Sequence, residues 1–75
     1  MDPQAIAPVI KACFGEMQAK LTEAQRIAKA AQACAEAGSI EEAVRVSMGI
    51  EQLIYEADRL HDAVALLGRM ITADL

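Results

Sequence analysis

Apolar and small residues recur along this chain in two long series, with alternating steps of four and three residues. The first series runs from Ile10 to Ala35 and the second from Ala43 to Ile71, with one break at residues 37–40. A repeat of 3.5 residues keeps one stripe of a helix apolar and is typical of helices that pack side by side. The pattern therefore predicts an all-α fold of two long antiparallel helices, a helical hairpin. The series are Ile10, Phe14, Met17, Leu21, Ala24, Ala28, Ala31 and Ala35, then Ala43, Val46, Ile50, Leu53, Ala57, Leu60, Val64, Leu67 and Ile71.

The turn between the helices is predicted at Gly38 and Ser39. Glycine takes a positive φ without steric penalty, so Gly38 suits the left-handed residue that ends a helix. Ser39 followed by Glu42 matches a capping box, in which the Ser39 hydroxyl accepts from the Glu42 amide and the Glu42 side chain accepts from the Ser39 amide. Stop and start signals are adjacent, so the turn should be very short.

We predict one domain that spans the whole chain. Pro8 removes a backbone hydrogen bond from any helix that contains it, so the residues before it are expected to be frayed or kinked. The predicted elements are a frayed segment at 1–7, a first helix at about 8–37, a turn at 38–39 and a second helix at about 40–73.

Additional apolar residues flank both series. Two helices share a single contact line, which leaves such wide flanks exposed unless further helices cover them. A two-fold axis lets one surface serve both copies, so the simplest prediction is a homodimeric four-helix bundle. The alternative is that a partner protein supplies the missing helices. The flanking residues are Ile6, Cys13, Ile27 and Cys34 on the first helix, and Ile40, Ile54, Ala63, Met70 and Leu75 on the second.

Composition and charge limit the classes of function. Of the 75 residues 55% are hydrophobic, yet Phe14 and Tyr55 are the only aromatic ones, and no strand-like alternation occurs. The net charge of −4 falls in residues 39–75 and argues against general binding of polyanions, which requires a basic face. The longest apolar run, residues 63–67, is far shorter than the roughly 20 residues that span a bilayer. With no signal peptide in view, we expect a cytoplasmic protein without a membrane partner.

His61 is the only histidine and the only candidate for metal chemistry. Asp58 lies three residues before it, a spacing that resembles the acid-x-x-His pairs of di-metal bundles. Such sites also need carboxylates at core positions of the facing helix, and the first series carries none. We therefore expect no metal, no cofactor and no enzymatic activity, and interpret His61 as a partly buried or interface residue.

Cys13 and Cys34 are three heptads apart. On one helix they are separated by about 31 Å, too far for a disulfide within the chain. They are expected to be small buried hydrophobic residues in a reducing compartment. The alternative is that Cys13 of one copy approaches Cys34 of another, if the first helices of a dimer pack in opposite directions about Glu23 and Ala24.

Two surfaces of the predicted helices are candidates for binding. Scattered exposed apolar residues are normal, but Met and Tyr are favoured at contact surfaces. A possible partner patch therefore comprises Val44, Met48, Tyr55 and Leu66. A polar row repeats every seven residues along the first helix and is either a solvated edge or a shallow nucleic-acid face; it comprises Lys11, Gln18, Gln25 and Gln32.

In length and layout the chain is similar to the Rop family, whose hairpin dimers bind RNA through a polar helix face. The similarity is one of architecture, without a shared motif, and implies a nucleic-acid-binding alternative. The leading hypothesis is a small non-enzymatic protein-interaction module, an adaptor or regulatory subunit. It would act as a homodimeric bundle or complete the bundle of a partner.

Overall fold

The computed structural model describes residues 2–73, with no side-chain description at 73, so the expected flanking residue Leu75 lies outside the described part. These residues form three helical segments: α1 at Pro3–Glu36, α2 at Ile40–Ser47 and α3 at Gly49–Ala73. No strand occurs among them. The prediction of an all-α fold is confirmed.

Helix α1 begins at Pro3, five residues earlier than predicted. The Asp2 carboxylate accepts a hydrogen bond from the Gln4 amide at 3.0 Å, and Pro3 occupies a first-turn position whose amide has no helical partner. Pro8 removes only one internal hydrogen bond, while Ile6 is 1% exposed and anchors the same turn. The expectation of a regular helix from about residue 8, with frayed residues before it, is therefore wrong from Pro3 onward.

The chain leaves α1 through a Schellman motif at Gly38. Gly38 has φ 90°, its amide donates to the Ala35 carbonyl at 3.0 Å, and the Ser39 amide donates to the Cys34 carbonyl at 2.9 Å. The predicted capping box is wrong, because the Ser39 side chain makes no capping hydrogen bond and Glu42 pairs with Arg45. The Schellman hydrogen bond uses the Ser39 amide, which is the group that Glu42 needed.

The second predicted helix is interrupted at Met48. The Met48 amide donates to the Arg45 carbonyl, three residues back, at 3.3 Å. The Ser47 hydroxyl donates to the Val44 carbonyl at 2.7 Å, and Gly49 follows with its low helix propensity. These local features bend the helical path. The apolar series continues through the bend, since Val46 before it and Ile50 after it are both half-buried.

Helix α3 lies alongside α1, and two contacts fix its position. Ile27 Cδ1 lies 3.3 Å from the point where a Cβ on Gly49 would stand. The Lys20 ammonium lies 3.3 Å from the Glu56 carboxylate. The partners in each pair are equally far along the chain from Gly38. The molecule is a rod of 56 × 14 × 13 Å with a radius of gyration of 17.1 Å, whereas a compact 75-residue domain has about 11 Å.

Candidate interaction surfaces

The residues of α1 that face the second helix form a row, which we call the inward row. At alternate positions this row is offset by one residue from the series predicted from the sequence. Its half-buried or buried members are Ile10, Cys13, Met17, Lys20, Ala24, Ile27, Ala31 and Cys34. Phe14 and Leu21 of the predicted series are instead 50% and 46% exposed. The most regular apolar row of α1 is thus only partly used within the chain.

The structure places the other predicted interface residues at different depths. Ile6 is buried, whereas Ile54 and Met70 are 46% and 39% exposed. Glu42 beside the turn is half-buried. The half-buried members of the second series are Val46, Ile50, Leu53, Leu60, Val64, Leu67 and Ile71.

One side of the two-helix unit is acidic. The inward residues Lys20 and Ile27 of α1 contact Glu56 and Gly49 of α3, so the flanks next to these residues share a side. We call this the acidic side. We call α2 and α3 together the second helical path. The flanking positions of the acidic side are Val9, Glu16, Glu23 and Ala30 on α1, with Glu42, Gly49, Glu56, Ala63 and Met70 on the second helical path.

The opposite side carries no Asp, Glu, Lys or Arg at its flanking positions, and we call it the charge-free side. Four large apolar side chains stand out on it: Phe14, Leu21, Ile40 and Ile54, of which Ile40 is 58% exposed. Water therefore meets an apolar strip that extends from the turn along most of the rod. The flanking positions are Ala7, Phe14, Leu21, Ala28 and Ala35 on α1, with Ile40, Ser47, Ile54, His61 and Gly68 on the second helical path.

The possible partner patch lies on the outer surface of α2 and α3. Val44, Met48, Tyr55 and Leu66 are 49%, 62%, 55% and 50% exposed. The Arg59 guanidinium lies 5.3 Å from the centre of the Tyr55 ring, a cation–π distance. The spacing of four residues between Tyr55 and Arg59 is visible in the sequence and would have revealed this pair.

Arg59 also binds the two carboxylates that flank His61 in sequence. It lies 3.1 Å from Asp58 and 2.7 Å from Asp62. The hydrogen bond that Arg59 donates to Asp58, followed by the negative charge of Asp62, raises the pKa of Arg59. Within residues 2–73 no three His, Cys, Asp or Glu side chains are grouped closely enough to hold a metal ion.

The two cysteines and the polar row of α1 show simple environments. Cys13 and Cys34 are free thiols and half-buried in the inward row. The polar row is exposed throughout: Lys11, Gln18, Gln25 and Gln32. Gln32 donates to Glu36 at 3.2 Å, an interaction within one helix.

None of the described helices is long and apolar enough to cross a membrane.

Sequence reasoning missed the ion pair between Lys20 and Glu56. The signal was present, because Lys20 lies one heptad from both Cys13 and Ile27 and so falls in the same row. A lysine at an inward position predicts an acidic partner on the facing helix, since its long stem can be buried while its charge stays at the edge.

Comparison of the chain with protein-family models, with curated proteins and with solved structures finds no match.

Proposed function

We propose that this chain is a non-enzymatic protein-interaction module. It is an antiparallel helical hairpin that buries its charge-free side against further helices. These come from a second copy, which gives a four-helix bundle, or from a partner protein whose bundle the hairpin completes. The observation that carries the proposal is the row of half-exposed Phe14, Leu21, Ile40 and Ile54 on a side without charged flanks.

The accessible area supports a need for further helices. The chain exposes 5372 Å² for a mass of 8.0 kDa. A compact monomer of that mass exposes about 4,450 Å², so the excess is about 900 Å². A stable interface of standard size removes about 800 Å² from each partner. The excess is therefore close to what one further hairpin would cover.

The small interior points the same way. Among the described residues the buried apolar side chains are Ile6, Ala24, Ala43 and Ala57, and three of these are alanine. Small domains need a large core, a staple or a partner to offset the loss of chain entropy. A partner supplies the missing burial.

The acidic side and the outer surface remain available once the charge-free side is covered. The possible partner patch around Tyr55 would then bind a target, which fits an adaptor or regulatory subunit. The exposed polar row of α1 is the feature that a nucleic-acid-binding alternative would use. A net charge of −4 opposes that alternative.

Sedimentation equilibrium over a wide range of protein concentration tests the proposal. We expect a mass of twice 8.0 kDa for self-association, or a poorly ordered chain that becomes helical on binding a partner. A monomer that stays fully helical and unfolds cooperatively at every concentration would contradict it. Salt-sensitive retention on RNA would instead favour the nucleic-acid alternative.

A further inference from the structure

We infer that the charge-free side binds a second copy of this chain, with the two α1 helices packed in opposite directions about Leu21. The turns of the two hairpins then lie at opposite ends of the bundle. This inference rests on the proposed function and deepens it, because it commits to one partner and one orientation. Two features support it: the excess of accessible area, which matches one standard interface, and the order of side-chain sizes along the charge-free side.

Side-chain size on the charge-free side of α1 changes at Leu21. One heptad towards the N-terminus stands the large Phe14. Towards the turn the side carries only the small Ala28 and Ala35. Such a helix fits a copy of itself when the two run in opposite directions about Leu21, because Phe14 of each copy then meets an alanine of the other.

The register about Leu21 matches individual residues. Phe14 lies seven residues before Leu21 and Ala28 seven after it, so Phe14 of each copy meets Ala28 of the other. Ala7 meets Ala35 in the same way. Leu21 meets Leu21 at the two-fold axis.

The second helical path gives the same centre independently. Ile54 lies at nearly the same level of the rod as Leu21, as judged from their distances to Gly38 along the chain. About Ile54, Ile40 of one copy meets Gly68 of the other. His61 meets Ser47. Away from the axis, where Ile54 meets Ile54, each larger side chain again faces a smaller one.

The other symmetric arrangement places both turns at one end. It stacks Phe14 and His61 of both copies in one layer and leaves Ala28 and Ser47 of both copies in another. The first layer is overpacked and the second contains a void. Both defects weaken association.

Charges at the rim of the interface favour the arrangement with both turns at one end. Their effect is weaker than that of side-chain packing, which favours turns at opposite ends. In the proposed dimer Glu51 lies near Asp58 of the second copy, while the Gln rows of the two α1 helices face each other. Exposed like-charge pairs change an equilibrium by less than about fivefold each. A phenylalanine-sized void or clash changes it by about a hundredfold or more. Packing therefore decides the orientation.

A size exchange across the interface tests the inference. In a homodimer of the Phe14→Ala variant, a void is left against Ala28 of each copy. In a homodimer of the Ala28→Phe variant, the introduced ring of each copy contacts Phe14 of the other. Each variant alone is expected to dimerise at least about a hundredfold more weakly than the unchanged protein. Mixed together, they restore one large and one small residue at both contacts. The amount of heterodimer should exceed the amount of either homodimer by about tenfold or more, as measured by native mass spectrometry.

The matched control is Ala30→Phe, which adds the same ring on the acidic side of α1. Mixed with Phe14→Ala, it should give no preference for the heterodimer. Circular dichroism of each variant checks that helicity is retained. If the unchanged protein dimerises but the Phe14→Ala and Ala28→Phe pair shows no preference, the inferred orientation is wrong while the proposed function stands. If the unchanged protein is a stable monomer, the proposed function itself fails.

A distance measurement covers the case in which a size variant fails to fold. A spin label at Ser39→Cys, in a chain with Cys13→Ala and Cys34→Ala, reports the separation of the two turns. Turns at opposite ends are separated by nearly the 56 Å length of the rod. Turns at the same end are about 20 Å apart, roughly two helix-packing distances. A short distance would overturn the inference.

Discussion

Lys20 lies in the inward row of α1. The equivalent positions one heptad before and after it hold Cys13 and Ile27, which are apolar or weakly polar. The Lys20 ammonium reaches Glu56 at 3.3 Å, and the two side chains are 31% and 35% exposed. Solvent therefore screens part of the attraction. The pair fixes the register of α1 on α3 more than it adds stability.

Reversal of this ion pair gives a prediction at the residue scale. Lys20→Glu places two carboxylates together and should lower the free energy of unfolding by about 1 kcal/mol. Glu56→Lys in the same chain should restore most of that loss. Urea denaturation at one fixed protein concentration measures all three proteins. Equal stability of the single and double variants would show that the pair does not couple the helices.

Gly38 gives a second prediction at this scale. Its φ of 90° is a left-handed conformation that a Cβ disfavours, so Gly38→Ala should lower the free energy of unfolding by about 1 kcal/mol. Gly15→Ala is the matched control, because a Cβ there meets open space and gains up to about 1 kcal/mol of helix propensity. Thermal denaturation should therefore move in opposite directions for the two variants. A shift of the same sign would contradict the assigned turn.

At the element scale, hydrogen bonds near the ends of α1 set its length. Asp2 caps the first turn and Gly38 closes the last. Asp2→Ala should cost about 1 kcal/mol and increase amide hydrogen exchange in the first turn, whereas Asp2→Asn should retain the cap. Unchanged exchange in the alanine variant would show that burial of Ile6 alone holds this end.

The sequence allowed the helical class and the position of the turn to be predicted, because heptad spacing and a glycine stop signal are local features. It misplaced the start of α1, since the burial of Ile6 that offsets Pro8 is a tertiary effect. It assigned Phe14 to the helix seam, because the rows through Cys13 and Phe14 both complete the same heptad spacing with Met17. Only the facing helix, with Gly49 against Ile27, distinguishes these rows.

The candidate surfaces were less predictable than the helices. The possible partner patch lies on α2, Met48 and α3, which the sequence predicts as one helix, so its exposure follows from its distance to the apolar series. The charge-free side joins residues from both helices, such as Leu21 and Ile54, and required their relative rotation. That rotation depends on contacts between residues far apart in the sequence.

At the scale of the whole molecule, the proposal is that a thin rod with little interior folds by association. If the folded form is the dimer, its thermal midpoint should rise with protein concentration, because mass action favours the associated state. Added salt should raise it further, since each copy carries a net charge of −4. Circular dichroism at several concentrations and ionic strengths checks both trends. A midpoint independent of concentration would indicate a self-sufficient monomer.

Sedimentation equilibrium of a matched pair of variants tests whether the chain assembles through its charge-free side. Ala28→Glu and Ala30→Glu make the same change two residues apart on α1, where both alanines are exposed. Ala28 lies on the charge-free side and Ala30 on the acidic side. We expect Ala28→Glu to abolish assembly, because it buries a charge, and Ala30→Glu to leave the assembled mass unchanged. Equal masses for the two variants would contradict it.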